Sequence, residues 1–133
     1  MALMLFVCGC RTDPDSNSAG TAKPPAQGDQ ANWTIGMSQC NLGEPWRVQM
    51  NADVKAAADS IDEVEVVFKD AQNDTLKQRS HIEEFVNAGV DLIIISPKEA
   101  QPLTEPVAKA MATGIPVIVL DRSVLGDQFT CFI

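Results

Sequence analysis

From Trp33 onward, short runs of consecutive apolar residues alternate with stretches where apolar residues recur every three or four positions. The runs read as strands buried on both faces, and the periodic stretches as helices with one inward stripe. Trp33–Met37 is a first strand ending at Ser38, followed by a loop over Gln39–Glu44. Pro45 suits the first turn of a helix whose stripe is Met50, Val54, Ala57, Ala58 and Ile61. Val64–Phe68 is a second strand, ending in Lys69 and Asp70. Asp74 or Thr75 caps a second helix that turns Ile82, Phe85 and Val86 inward and closes at Gly89. Asp91–Ile95 is a third strand, ending at Ser96 and Pro97. A third helix runs from about Ala100 to Thr113 on a stripe of Leu103, Val107, Ala110 and Met111. Pro102 fits its first turn, whereas Pro106 is expected to delay the regular helix to near Thr104. Gly114 then leads into an apolar, β-branched strand that stops at Asp121 and Arg122, and Phe129–Ile133 reads as a fifth strand.

Strands and helices alternating through short connections build right-handed βαβ units, hence an α/β fold with a parallel sheet and helices on both faces. Such sheets bind ligands beyond the carboxyl ends of their strands. Ser38, Asp70, Ser96 and Asp121 each stand at such an end, so together they outline a rim. Asp121 offers acceptors and Arg122 a fork of donors, the pair that a small polyhydroxylated molecule needs. The competing reading of these two residues is a surface ion pair. Trp46, beside Pro45 and off the helical stripe, reads as a ligand-facing aromatic rather than a core one. Asp70 and Gln72 are expected to cap the turn that follows them, and His81 to lie on a solvated helix face among Arg79, Glu83 and Glu84.

The chain has 133 residues, 45% of them hydrophobic, enough for one domain with its own core. A formal net charge of −8 argues against a nucleic-acid partner. Ahead of the folded part, residues 1–10 carry a short apolar run, Ala2–Val7, followed by Cys8, Gly9 and Cys10. This resembles a bacterial lipoprotein signal with Cys10 as the lipid acceptor, and a buried strand is the alternative. Residues 11–32 are rich in Pro, Ser, Gly, Asp and Gln and bury too little apolar surface to offset their ordering entropy. They read as a tether, and the layout implies attachment outside a membrane through a lipid anchor only. Cys40 and Cys131 are either a disulfide or, the preferred reading, two unpaired thiols, and neither has metal-ligand spacing.

Catalytic signatures are missing from the sequence. No glycine-rich dinucleotide or phosphate loop follows the first strand, no Gly-x-Ser-x-Gly elbow occurs, and no nucleophile at a plausible strand end is expected to serve the single histidine. A phosphate-accepting receiver domain would need an acidic pair where Ser38 and Gln39 stand. A repressor core would need a helix-turn-helix in place of the N-terminal signal and tether. No enzyme activity, cofactor or metal is expected.

Five segments in order, Thr34–Ser38, Pro45–Arg47, Asp70–Asn73, Gly89–Pro97 and Gly114–Arg122, resemble the type 1 periplasmic sugar-binding proteins of ABC transporters. Ser38-Gln39, Trp46-Arg47 and Asp121–Val124 look most like the galactofuranose-binding branch of that family. The resemblance covers essentially all of residues 33–133 and implies the N-terminal lobe of a two-lobe fold, with the chain a fragment of a longer product, the preferred reading, or the product of a truncated gene. It also implies that Trp46 lies against the apolar face of a sugar ring and Arg47 donates to its oxygens, while Asp121 accepts from hydroxyls and Arg122 donates to them. Asn41 and Glu44, in the first loop, are further candidate contacts. The implied function is capture of a monosaccharide outside the cytoplasmic membrane and its delivery to an ABC permease. A membrane-anchored sugar sensor is the alternative.

Overall fold

The structure, a computed structural model, describes residues 32–133. The expected signal with Cys10, and all of the expected tether but Asn32, lie outside the described residues. In chain order the elements are β1 (Trp33–Gln39), α1 (Pro45–Asp59), β2 (Val64–Asp70), α2 (Thr75–Ala88), β3 (Leu92–Ser96), α3 (Ala100–Ala112), β4 (Val117–Val119) and β5 (Cys131–Phe132). The five strands form one sheet in the order β2-β1-β3-β4-β5, and every neighbouring pair is parallel. The parallel sheet with helices on both faces is therefore present. All five strands point their carboxyl ends to the same edge.

Alternation along the strands divides the two faces. Ser38, Ile93, Ile95, Val117 and Val119 turn toward α2 and α3, where they meet Ile82, Phe85, Leu103, Val107 and Ala110 in the main core. Ile35 and Val66 turn the other way and meet Val54, Ala57 and Ala58 of α1. The close seating of α2 needs a glycine at position 36. A Cβ there would stand 2.5 Å from the Phe85 ring, so the missing side chain is what lets the aromatic lie on the strand.

Local chemistry explains both ends of α2 and the turn before it. Asp74 caps α2 by accepting from the backbone N–H of Leu76 and Lys77. Gly89, at φ 68°, closes the same helix in the left-handed conformation that glycine adopts without penalty. Asp70 accepts from the backbone N–H of Gln72 and so stabilises the β2–α2 turn.

Three expectations are corrected. First, α3 begins at Ala100 and carries Pro106 inside it. The Pro102 carbonyl that Pro106 cannot reach is taken instead by the Arg79 guanidinium of α2, at 2.6 Å. A side chain from another helix thus supplies the donor that proline lacks. Second, β1 runs on to Gln39, which pairs with Asp70 and Ser96, so Gln39 is a strand residue and not the start of a loop. Third, His81 is buried at 6% exposure, its Nδ1 3.1 Å from Ser38 Oγ. The inward face of α2 comprises Gln78, His81, Ile82 and Phe85, a helical stripe in which two polar residues take inward positions. Cys40 and Cys131 are free thiols, the first buried and the second partly so.

Candidate functional site

The carboxyl edge gathers the ends of β1, β3 and β4 around one side chain, Arg47. It lies in the first turn of α1, two residues after Pro45, and that turn points the guanidinium back over the sheet edge. Although charged, Arg47 is 1% exposed. Burial of a guanidinium is tolerable only where its donors are met. Here Nη1 donates to Gln39 Oε1 at 2.8 Å and to Ser96 Oγ at 2.7 Å, while Nη2 donates to Asp121 Oδ2 at 3.1 Å. Gln39 is itself held, since its Nε2 donates to Asn51 Oδ1 at 3.3 Å. Glu44 places a carboxylate oxygen 3.1 Å from Nε, near enough for an ion pair. The Nε–H is not aimed at that oxygen, and Nε remains a buried polar atom without a hydrogen bond.

Trp46 covers the flat face of this cation, with Arg47 Cζ 4.1 Å from the ring centroid. Trp46 nevertheless stays 45% exposed, so it combines an apolar surface open to solvent with a charged partner beneath it. Asp121 follows β4 and adopts φ 67°, a left-handed conformation in which a non-glycine residue is strained. Its backbone N–H donates to the Ile133 carbonyl at 2.9 Å and its carboxylate binds Arg47, and together these hold the conformation.

Four of the six residues singled out from the sequence are thus in direct contact: Glu44, Trp46, Arg47 and Asp121. Arg122 sits at the margin. Its Nη1 donates to the Lys98 carbonyl at 3.1 Å, and its Nε is 3.8 Å from Asp121 Oδ2. Asn41 stands apart with its amide committed to structure: Nδ2 donates to Asn73 Oδ1 at 2.9 Å, and Oδ1 accepts from the Gly43 N–H at 2.8 Å. It ties the β1–α1 loop to the β2–α2 turn. Gln39 was missed as a member of the cluster, and the signal for it was a second polar residue directly after Ser38 at the end of an apolar strand.

The cluster presents exposed aromatic surface, a buried guanidinium with an uncommitted donor, and two carboxylates at the open edge. Two acids (Glu44, Asp121) and two bases (Arg47, Arg122) balance in charge. That set can hold a neutral molecule rich in hydroxyls between apolar and ionic surfaces. An apolar concavity of about 560 Å3 lies elsewhere, between the C-terminal halves of α2 and α3, against Ile82, Val86, Pro106 and Lys109. It shares no residue with the Arg47 cluster and lies away from the carboxyl edge of the sheet, so the rim is the better candidate. Among the described residues no group of His, Cys, Asp and Glu side chains is arranged to hold a metal ion, and no helix is long and apolar enough to cross a membrane.

An open parallel α/β sheet with a polar cluster at its carboxyl edge defines a class of ligand-binding domain. The chain belongs to the periplasmic binding protein domain family, whose model matches residues 35–132. It is 33% identical to the ribose import binding protein RbsB of Bacillus subtilis (strain 168) over 124 residues, covering 92% of this chain and 39% of that protein. Among solved structures, the fructose binding periplasmic domain of a hybrid two-component system matches with a TM-score of 0.74 and 39% identity, covering 77% of this chain and 34% of that one. A galactofuranose binding protein matches with a TM-score of 0.70 and 28% identity, covering 75% and 34%. The chain therefore spans well under half the length of the relatives it matches.

Proposed function

We propose that residues 33–133 form the first lobe of an extracytoplasmic solute-binding protein that captures a neutral monosaccharide and passes it to an ABC permease. The observation that carries this reading is the Arg47 cradle. A buried guanidinium is fixed by Gln39, Ser96 and Asp121, capped by half-exposed Trp46, and stands at the sheet edge where such folds take ligands. In this reading the Trp46 ring packs on the C–H face of the sugar, and Asp121 and Arg122 share its hydroxyls. Arg47 adds its uncommitted donor. Charged partners discriminate well, because a sugar lacking the matching hydroxyl leaves a buried ion unpaired. No bond is made or broken. Ligand shifts the population toward a state in which a second lobe closes over this edge. Cys10 would carry the lipid that holds the protein at the membrane.

Calorimetry of the two-lobed protein against neutral monosaccharides, with a sugar acid and a sugar phosphate as controls, tests the proposal. Saturable binding of a neutral sugar, lost by roughly a hundredfold in Asp121→Ala, is expected. Wild-type affinity in that variant would place the ligand elsewhere, and preference for the anionic controls would overturn the neutral-ligand reading. A second reading has one observation in its favour: the neighbour at 39% identity is the fructose binding periplasmic domain of a hybrid two-component system. A sensor would bind the same sugar at the same residues, so co-purification with a permease or with a kinase separates the two. If Cys10→Ser left the protein in the membrane fraction, the lipid-anchor part of the proposal would fail.

A further inference from the structure

Gln78 is fully buried on the inward face of α2, an unusual place for a primary amide. Its hydrogen-bonding groups are spent on the carboxyl edge of the sheet. Nε2 donates to the Ser96 carbonyl at 2.9 Å and, at the longer distance of 3.4 Å, to the Ser38 carbonyl. Oε1 accepts from the Lys98 backbone N–H at 2.9 Å. The amide therefore ties the end of β1 to the end of β3 and to the first residues beyond it.

Each of those partners stands next to a group that holds a site arginine. Ser96, whose carbonyl Gln78 holds, uses its own Oγ to accept from Arg47 Nη1. Ser38 immediately precedes Gln39, whose Oε1 accepts from the same Nη1. The carbonyl of Lys98, whose N–H Gln78 holds, accepts from Arg122 Nη1. One buried side chain on the far face of the sheet thus reaches the supports of both arginines while touching neither.

We infer that Gln78 is a positioning residue for the ligand site. It fixes the spacing of the β1 and β3 ends at which Gln39 and Ser96 grip Arg47, and it fixes the carbonyl on which Arg122 rests. An apolar residue of the same size would fill the space but leave two carbonyls and one N–H without their partner. The strand ends would then relax independently, and the acceptors around Arg47 would lose their common register. The inference rests on the proposed ligand site for its functional meaning, but the geometry it concerns exists without a ligand.

The test uses the 133-residue chain with Gln78→Met, Gln78→Glu and, as a destabilised control, Phe85→Leu, which loosens the same helix without touching the strand-end carbonyls. The readout is the set of nitrogen-15 guanidinium signals of Arg47, together with the near-ultraviolet circular dichroism of the Trp46 stack, recorded without sugar. Folded Gln78→Met is expected to lose the slowly exchanging guanidinium signals, and Phe85→Leu to keep them even if its unfolding midpoint falls further. Gln78→Glu is expected to regain them as the pH is lowered. A protonated carboxyl again offers one donor and one acceptor, whereas a carboxylate still accepts from the Lys98 N–H but faces the two carbonyls with no donor. His81, one turn along α2, and Lys98 lie close to position 78, so wild type followed through the same pH range supplies the baseline. In the two-lobed protein Gln78→Met should bind sugar about tenfold more weakly, the loss expected from misaligning a charge-assisted hydrogen bond. Unchanged Arg47 signals in folded Gln78→Met, or equal loss in Phe85→Leu, would reduce Gln78 to a structural amide. If Gln78→Met does not fold, the pH profile of Gln78→Glu decides: no recovery on protonation overturns the inference. Altered Arg47 signals with no sugar binding by wild type would instead sink the sugar reading and leave the positioning role standing.

Discussion

Replacing Asp121 separates an electrostatic contribution from a backbone one, because this residue carries both. Its Oδ2 accepts from the fully buried Arg47 at 3.1 Å, and its backbone sits at φ 67°. A hydrogen bond to a charged group contributes about 1.5–3 kcal/mol. Two features favour the low end. The Asp121 side chain is 32% exposed, so water can replace it, and Glu44 remains 3.1 Å from Nε as a second counter-charge. Asn keeps an acceptor and tolerates the left-handed conformation, so Asp121→Asn should cost about 1 kcal/mol. Asp121→Gly loses the acceptor but fits the backbone, for about 2 kcal/mol. Asp121→Ala loses the acceptor and keeps a Cβ in the left-handed region without the short polar side chain that lets Asp and Asn tolerate it, for about 3 kcal/mol. Urea unfolding followed by circular dichroism resolves the series, since an m-value near 1 kcal/mol/M makes each step a shift of about 1 M in midpoint. The order Asn, Gly, Ala is the prediction. Ala and Gly of equal stability would mean that the left-handed backbone is not strained, and Asn equal to wild type would mean that the ion pair adds nothing.

Gly36→Ala should destabilise by about 2–3 kcal/mol, although alanine suits a strand better than glycine, because its Cβ would meet the Phe85 ring at 2.5 Å. Adding Phe85→Leu should recover part of that loss in a double-mutant cycle, and strict additivity of the two changes would exclude the clash. Burial, then the nearby Lys69, lowers the His81 pKa below 6.5, with smaller opposing effects from Glu84 and Asp70 and a further lowering by Lys77. The unfolded chain therefore takes up the proton first, so stability should decline as pH falls from 6.5 through the lower folded value. His81→Gln should flatten the urea midpoint across that window, and an unchanged slope would remove His81 as its source. The exposed carboxyls of Glu84 and Glu105 are held below 4.5, mainly by hydrogen bonds from Lys69 and Lys109.

The alternation of strands and helices was legible because it is written in local terms. β-Branched runs such as Ile93–Ile95, the Asp74 cap and the Gly89 stop each act within a few residues of themselves. What escaped local reading was settled by contacts between distant segments. Pro106 reads as a helix breaker until Arg79, on another helix, supplies the donor to the Pro102 carbonyl. His81 reads as solvent-facing until the spacing 78, 81, 82, 85 is taken as one inward face regardless of polarity. The site shows the same division. Trp46, Arg47 and Asp121 stood out as residue types in suggestive places, but the burial of Arg47 depends on three strand ends meeting, and no single segment carries that information. Asn41 looked equivalent to Glu44 in sequence, and only the position of Asn73 shows its amide to be occupied.

The anchorage of α1 links these contacts to motion. α3 is seated by Leu103, Val107 and Ala110 in the main core, whereas the buried residues of α1 are Arg47 and Ala58, one near each end. An alanine buries little apolar area, so much of what holds the N-terminal end of α1 is the polar grip of Gln39, Ser96 and Asp121 on Arg47. Polar anchorage of that kind is stiff while its partners hold register and weak once they shift. The guanidinium that would meet a ligand is therefore the same group that seats the helix, and an added acceptor at its uncommitted donor tightens both at once. On the proposed site, binding and the ordering of α1 would be coupled through one side chain, with Trp46 on the adjacent position of the helix carried along with it.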